Sequence, residues 1–221
     1  MKVLAISVHP DDETLGCGGT ILKHRSNGDE VYWLILTSAN EDIGYSKEFI
    51  SQRDSEIKAV SKAYGFKKTY ELGFPAGHLH SVDFFELIDK TSHAIKEIKP
   101  DIIYTVNRSD IHSDHQIAAQ AIFSATKSFR NTFIKRILAY ECLSETEIAP
   151  PLLENTFLPN VFSDISEFLD RKIEIMKIYG SELQDPPFPR SIKNIKALAR
   201  FRGSTVSRDY AEAFMVLRDI F

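Results

Sequence analysis

Short apolar runs alternate with helical patterns along the first two thirds of the chain. Five runs rich in β-branched or aromatic residues predict strands, and amphipathic segments between them predict helices; the predicted strands are 3–8, 30–37, 68–72, 101–106 and 136–141. The first two runs, VLAIS and VYWLILT, are almost continuously apolar, as strands covered on both faces are. This alternation predicts an α/β fold, Rossmann-like, with a mostly parallel sheet and helices on both faces.

Beyond residue 145 the alternation weakens. The piece EIAPPLLENTFLPN predicts a loop with an extended part, and the pattern of 164–179 predicts a helix capped by Ser163 or Asp164. A further helix is predicted over 191–201. The chain has 221 residues and no internal repeat. We therefore expect one domain over 1–221, with an α/β core at 1–145 and a C-terminal extension at 146–221 packed on it.

Composition limits the classes of partner. Lys and Arg number 27 against 31 Asp and Glu, and this net charge of -4 argues against wrapping by nucleic acid. The two cysteines, Cys17 and Cys142, have no paired spacing that would predict a disulfide framework or a cysteine-rich zinc site. No apolar run approaches the roughly 18 residues of a membrane span, and MKVLAISV is too short for a signal peptide. We expect a cytoplasmic protein that acts on a small molecule, and homo-oligomerisation stays open.

The first predicted strand ends in a cluster of ionisable side chains. VLAIS is followed by VHPDDETLGCGGT, so that a histidine and three consecutive acids come directly after the apolar run. In an open parallel sheet, ligands bind outside the carboxyl ends of the strands. One interpretation is that Asp12 or Glu13 only caps a helix beginning near Thr14, whose N-terminus favours negative charge. A cap needs one acid, however, and His9 three residues before Asp12 is also a workable metal-ligand spacing.

A second cluster follows the fourth predicted strand. DIIYTV is succeeded by NRSDIHSDHQ, which carries Asp110, His112, Asp114 and His115 and leads into a predicted helix. Because the carboxyl ends of parallel strands share one edge of a sheet, we expect the two clusters to converge in space.

Counting the ligands of the two clusters predicts a catalytic zinc centre. His9, Asp12 and His115 supply two nitrogens and one carboxylate oxygen, the three-ligand set of a catalytic zinc with one open position. A water in that position would have its pKa lowered from about 16 towards about 7. Iron(II) or another divalent metal fits the same donors.

The other polar side chains of the clusters are candidates for proton transfer. Asp11 diverges from the adjacent Asp12, so we predict that it is the general base that accepts the proton of the water. His112 lies one helical turn before His115, and in its protonated form it would stabilise an oxyanion or donate to a leaving amine. Asp110 or Asp114 is expected to orient the His112 imidazole.

These motifs resemble the PIG-L/LmbE-like family of zinc-dependent N-acetylglucosamine de-N-acetylases. HPDDE and HSDH resemble its two metal-binding motifs, RDSEIKAVSKAYG its Arg-x-x-Glu helix, LGFPAGHL its Phe-Pro-Asp-Gly-x-Leu loop, and YAEAF its closing segment. The resemblance implies the same metal ligands and the same base as the ligand count. It also implies that His112 polarises the carbonyl or protonates the amine, and that Arg53 contacts the sugar.

Two positions depart from the family pattern. Ser113 stands where the second motif usually has proline, and Ala76 stands where aspartate is common in the Phe-Pro-Asp-Gly loop. We expect the first departure to leave the neighbouring ligand undisturbed and the second to alter substrate contacts.

Three further segments have two interpretations each. The loop after the second strand either lines the pocket, through Asn40, Glu41 or Tyr45, or only connects two elements. His78 and His80 are either exposed loop residues or substrate contacts. The stretch 186–208 has six basic residues and no acid, and it is either a solvated surface or a receiver for an anionic part of the substrate.

The leading hypothesis is a metal-dependent hydrolase that removes the N-acetyl group from an N-acetylglucosamine-type amino sugar or its conjugate. In this hypothesis water activated by zinc attacks the acetamide, with Asp11 as general base. Two alternatives stay open: a metal-dependent phosphoesterase or other amidase, and a non-catalytic metal- or sugar-binding module.

Overall fold

Seven strands form a single sheet in which the first five run parallel. The structure, a computed structural model, describes all 221 residues. The strands are β1 (Lys2–Ser7), β2 (Glu30–Ser38), β3 (Thr69–Pro75), β4 (Ile102–Val106), β5 (Arg136–Tyr140), β6 (Val161–Asp164) and β7 (Ala211–Asp219). Their order across the sheet is β3-β2-β1-β4-β5-β7-β6, and β7 is antiparallel to both of its neighbours. The predicted α/β fold with a mostly parallel sheet is confirmed.

Six helices cover the sheet. They are α1 (Asp12–Ser26), α2 (Lys47–Tyr64), α3 (Phe84–Ile98), α4 (Ser113–Ala125), α5 (Leu169–Met176) and α6 (Ile192–Ser204). One group of helices in mutual contact contains α1, α2, α5 and α6, and the other contains α3 and α4. The chain reverses its direction across the sheet between β3 and β4, and right-handed crossovers therefore put the two groups on opposite faces.

The strand order creates a switch point between β1 and β4. The chain leaves β1 towards β2 on one side, whereas β4 pairs with β1 on the other side, with Ala5 opposite Tyr104. Ligands of doubly wound sheets bind in the crevice that forms at such a point. Both predicted clusters follow the strands that border this crevice.

Glycines allow α1 to pack closely on its neighbours. A Cβ at Gly16 would overlap the ring of Tyr140, and a Cβ at Gly19 would overlap the side chain of Ile165. Cys17 between them is fully buried in the same core, which agrees with a packing role for the glycine-rich segment.

One predicted helix begins later than expected. We predicted a helix over 164–179 with Ser163 or Asp164 as its cap, and this start is wrong. Residues Val161–Asp164 form β6, which pairs antiparallel with β7 so that Ser163 lies opposite Glu212. α5 begins only at Leu169. The hydrogen-bond partner of β6 is about 50 residues away in sequence, so local pattern gives no sign of this strand.

No helix of the structure combines the length and the apolar character that crossing a bilayer demands.

Candidate active site

The two predicted clusters meet at the carboxyl edge of β1 and β4. His9, Asp12 and His115 each direct one candidate ligand atom into a common region, and these atoms lie within 4.8 Å of one another. Asp12 and His115 are buried, and His9 is half-buried. Two nitrogens and one carboxylate oxygen at this separation suit a divalent cation with further coordination positions open.

Backbone hydrogen bonds fix the direction of the Asp12 carboxylate. Its Oδ2 accepts from the backbone N–H of Val8 at 2.9 Å and of His9 at 2.8 Å. Its Oδ1 lies 3.4 Å from Nε2 of His115, close to the about 3.4 Å that separates two ligands of a tetrahedral zinc. Burial opposes the charged form of Asp12, but the imidazoles of His115 and His9 outweigh it and lower the pKa of the carboxyl.

The interpretation of Asp12 as a helix cap is not supported. The residue before α1, Asp11, makes no side-chain hydrogen bond to the helix N-terminus. The Asp12 carboxylate turns back towards the end of β1 instead of forward into the helix.

Two of the imidazoles each contact a carboxylate that fixes the orientation of the ring. Asp110 Oδ2 lies 2.8 Å from Nδ1 of His115, and Asp114 Oδ2 lies 3.2 Å from Nε2 of His9. Each contact leaves the other ring nitrogen free to bind a metal. We expected one of these acids to orient His112, and the observed partners are the other two histidines.

His115 lies between the carboxylates of Asp12 and Asp110. Burial alone would lower the pKa of its imidazole, but the two carboxylates outweigh burial and raise the pKa to about 10. A cation that binds at Nε2 must therefore displace a proton from this ring.

Asp11 has an unusual backbone and a buried side chain. Its φ angle of 135° is in a region that non-glycine residues rarely adopt, and such strain is concentrated at functional sites. Its N–H donates to Oε2 of Glu13 at 3.2 Å. Burial and the adjacent charge of Asp12 raise the pKa of the Asp11 carboxyl well above its usual range, although the cation of Arg190 opposes the shift. A raised pKa suits a carboxylate that accepts protons near neutral pH.

The Glu13 carboxylate accepts several hydrogen bonds beside this turn. It is fully buried and accepts from Ser7 Oγ at 3.0 Å, Thr14 Oγ1 at 2.6 Å and the Tyr179 hydroxyl at 2.9 Å. Burial raises the pKa of Glu13 to about 6 despite these three donors. Glu13 therefore has a structural role, in which it links β1, α1 and Tyr179.

His112 is half-buried beside the same centre. Its ring centroid lies 4.6 Å from that of His9 and 5.5 Å from that of His115. Its Nδ1 accepts from the backbone N–H of Asp114 at 3.1 Å, so Nε2 is the nitrogen that carries the proton in the neutral ring. Burial and the two neighbouring imidazoles lower the pKa of His112. A neutral imidazole with an Nε2–H is a hydrogen-bond donor, and we had expected a protonated ring.

A second group of potential ligands shares His9 with the first. It contains His9, His112 and Asp114. Both oxygens of Asp114 already accept backbone hydrogen bonds, from Gly77 at 2.6 Å and from Leu79 at 3.0 Å. The group with Asp12 is the better cation site because Asp12 Oδ1 makes no backbone hydrogen bond.

Comparison with known proteins identifies the family of this chain. The family model PIG-L, described as GlcNAc-PI de-N-acetylase, matches residues 4–126. The chain belongs to the PIG-L family. Both candidate metal-binding motifs lie within the matched residues.

Relatives and solved structures extend the similarity. The uncharacterized deacetylase YaiS of Escherichia coli is 28% identical, over 81% of this chain and 90% of its own length. The diacetylchitobiose deacetylase of Thermococcus kodakarensis is 26% identical, over 100% of this chain and 84% of its own. The structure of N,N'-diacetylchitobiose deacetylase from Pyrococcus horikoshii superposes with a TM-score of 0.77 at 22% identity, covering 98% of this chain and 83% of that one. This last likeness shows a shared fold.

A cavity opens directly above the cluster of this PIG-L chain. Its volume is about 220 Å³, and its lining includes His9, Asp11 and His112 from the clusters. Ala76 also lines it, at the position where the family commonly has aspartate. Further lining residues come from α2, from the loop before it and from the segment between α5 and α6; they include Tyr45, Phe49, Arg53, Glu182 and Arg190.

Arg53 lines the cavity from α2. Its guanidinium forms an ion pair with Glu182, donates to the backbone oxygen of Pro10 at 3.4 Å and lies 3.3 Å from Glu56. Phe49 packs against it, with the guanidinium carbon 5.4 Å from the ring centre. The side chain is therefore held firmly at the cavity wall.

Several residues singled out in the sequence lie elsewhere. Of the three candidates in the loop after β2, Tyr45 lines the cavity, whereas Asn40 and Glu41 do not. His78 and His80 stack on each other outside the cavity lining.

The basic stretch 186–208 does not form a continuous free cationic surface. Lys196, Arg200 and Arg208 each lie within 3.6 Å of an acid on a neighbouring element, and Arg202 forms two bonds with Glu141. Arg190 alone among these residues reaches the cavity. Sequence reasoning missed its contact with Asp11, because 179 residues separate the two and no spacing rule connects them.

Proposed function

We propose that this chain is a metal-dependent hydrolase that removes the N-acetyl group from an N-acetylglucosamine-type amino sugar or its conjugate. The observation that carries the proposal is the convergence of His9, Asp12 and His115 beneath a cavity that Asp11 and His112 also line. The family description names a de-N-acetylase of a glucosamine derivative, and a relative aligned over the whole chain is a diacetylchitobiose deacetylase.

The donor set supports zinc as the cofactor. His9, Asp12 and His115 would hold the ion, and two imidazoles with one carboxylate suit Zn²⁺, although they also suit Fe²⁺ or another divalent metal. When bound, the ion would make water a stronger nucleophile and polarise the acetamide carbonyl. Asp110 and Asp114 would support the two histidines by fixing their ring orientation.

Asp11 is the proposed general base. Its carboxylate lines the cavity beside the proposed ligands, and its raised pKa favours uptake of a proton from the attacking water. After the tetrahedral species forms, the same carboxyl returns the proton to the departing amine. The products are acetate and a free amino sugar.

His112 is the proposed donor to the developing oxyanion. The bond that Nδ1 accepts from the Asp114 backbone fixes the ring so that Nε2–H remains available for the substrate. A fixed donor of this kind stabilises transition-state charge without reorganisation during the reaction.

The size of the cavity supports a small substrate. About 220 Å³ is below the roughly 300 Å³ at which pockets for drug-sized ligands begin. We infer that one sugar ring with its acetamide enters while the rest of the conjugate remains outside. Both terminal nitrogens of Arg53 already contact the protein, so its proposed donor to a sugar hydroxyl is Nε. Acids outnumber bases in the chain, 31 to 27, which favours such a substrate over nucleic acid.

The proposal is tested by measuring acetate release from a panel of N-acetylated amino sugars. The panel contains N-acetylglucosamine, its β-1,4-linked dimer and an alkyl glycoside. The wild type with zinc should release acetate from at least one member, and prior chelation should abolish release. Asp11→Asn should lose about 10²- to 10⁴-fold in kcat while it retains one metal per chain.

Two results would contradict the proposal. One is no acetate from any member of the panel with the metal-loaded protein. The other is a metal-free wild type that is as active as the loaded enzyme.

A further inference from the structure

Arg190 connects three separate parts of the chain at the edge of the cavity. Its Nη1 donates to Asp11 Oδ2 at 2.8 Å and to Glu182 Oε2 at 3.1 Å. Its Nη2 donates to Glu145 Oε1 at 3.0 Å, and its Nε donates to Ser144 Oγ at 2.7 Å. One guanidinium therefore joins the turn after β1, the loop after β5 and the segment that follows α5.

These bonds leave Arg190 little capacity to bind a substrate. A guanidinium has five N–H groups, and four hydrogen bonds to the protein are already made. The side chain is 20% exposed, and three carboxylates surround it, from Asp11, Glu145 and Glu182. An arginine satisfied in this way acts on its protein partners.

The partner of interest is the carboxylate of Asp11. Arg190 binds Oδ2, and Oδ1 accepts no hydrogen bond from the protein, so one oxygen is held and the other is available to the cavity. The backbone of Asp11 is strained, and its N–H donates to Oε2 of Glu13. Two fixed points, one at the backbone and one at Oδ2, define where Oδ1 points.

We propose that Arg190 is a positioning residue that acts through Asp11. It holds the carboxylate in the single orientation in which Oδ1 faces the attacking water, and it anchors the C-terminal segment to the site. This inference rests on the proposed function, in which Asp11 is the base. A misplacement of about 1 Å in a reacting group can cost about 100-fold in rate.

Kinetics of matched arginine variants test the proposal. Arg190→Met removes the guanidinium and its N–H donors, and Arg190→Lys retains the positive charge with fewer N–H donors. The matched control is Arg202→Met, because Arg202 also pairs with a carboxylate, that of Glu141, and is similarly exposed at 18%, but lies outside this cavity. Metal content and the urea midpoint are measured for every variant, so that loss of metal or of folding is not mistaken for loss of positioning.

The expected result is a change in kcat alone. R190M should lose about 100-fold in kcat with KM within threefold of the wild type, R190K should lose less than R190M, and R202M should keep kcat within threefold. The proposal is overturned if R190M raises KM while kcat is kept, since Arg190 would then bind substrate. It is also overturned if R190M loses no more kcat than R202M.

A structural readout separates this proposal from the proposed function. In crystals of R190M, the Asp11 carboxylate should be rotated or occupy several conformers, while His9, Asp12 and His115 keep their positions. If the wild type released no acetate from any sugar, the proposed function would fail, but this comparison would still decide the role of Arg190. An unchanged single conformer of Asp11 in R190M would refute positioning.

Discussion

Hydrogen bonds to Asp12 and His115 direct one potential ligand atom of each side chain to a common point. Backbone N–H groups occupy Oδ2 of Asp12, and Asp110 occupies Nδ1 of His115, so that Oδ1 and Nε2 face each other at 3.4 Å. Oδ1 also lies 3.6 Å from the Cys142 thiol, and the buried pair of Oδ1 and Nε2 is stable when a proton or a cation lies between the two atoms. In the absence of a cation the carboxylates favour a proton on His115, and they raise its pKa to about 10.

Competition between proton and metal predicts the pH dependence of metal affinity. Below the pKa of about 10, His115 carries a proton that a metal must displace. Each unit of decrease in pH should therefore weaken zinc binding by up to about tenfold, which gives about 100-fold between pH 8 and pH 6. Titration of chelator-treated protein against a competing chromophoric chelator at several pH values measures this slope. An affinity that is equal at pH 6 and pH 8 would contradict the protonation of His115.

The convergence of the candidate ligand residues could be predicted from the sequence, but the contacts around them could not. His-x-x-Asp after one strand and His-Ser-Asp-His after another depend on short spacings that the sequence displays directly. The contacts of Asp110 with His115 and of Asp114 with His9 depend on side-chain directions, which spacing does not give. The contact of Arg190 with Asp11 depends on how the C-terminal segment folds back.

At the scale of the elements, α1 is interrupted at Cys17, where φ is -140° and ψ is 19°. The interruption frees backbone groups inside the protein, and a buried ion pair satisfies them. Glu212 accepts from the N–H groups of Gly19 at 2.8 Å and Thr20 at 2.7 Å, and Lys172 donates to the Leu15 oxygen at 2.9 Å. The acid thus caps the second half of the helix, and the ammonium caps the first half.

Removal of Glu212 should therefore destabilise the fold strongly. In Glu212→Ala the buried Lys172 ammonium loses its carboxylate, and the buried N–H groups of Gly19 and Thr20 lose their acceptor. We expect this loss to lower the free energy of unfolding by about 3–5 kcal/mol. Asp219→Ala on the same strand is the control, because its pair with Arg136 is 35–40% exposed and should contribute less than about 1 kcal/mol. Urea unfolding measures both variants. Equal losses in the two would contradict this account of the helix.

Local signals decided which elements could be predicted. α2 occupies the predicted residues, Lys47–Tyr64, because Ser46 caps its start and Gly65, with a φ of 68°, ends it. The first five strands lie within three residues of their predicted bounds at each end. β6 was missed because its stability comes from pairing with β7, and α5 was consequently predicted to begin too early.

On the scale of the whole molecule, the site depends on the strand order. His9 and His115 are far apart in the sequence, and they meet only because β4 pairs with β1 instead of with β3. β7 then joins the sheet beside β5, and Glu212 on this strand reaches back to α1. Alternation of strands and helices predicts a parallel sheet, but it does not by itself give this order.

The most direct measurement is anomalous X-ray diffraction from crystals of the zinc-loaded protein, recorded on both sides of the zinc absorption edge. The account predicts one ion per chain, about 2.0–2.2 Å from a ring nitrogen of His9, from Oδ1 of Asp12 and from Nε2 of His115. An ion bound away from these three side chains, or separate ions at His9 and at His115, would contradict it.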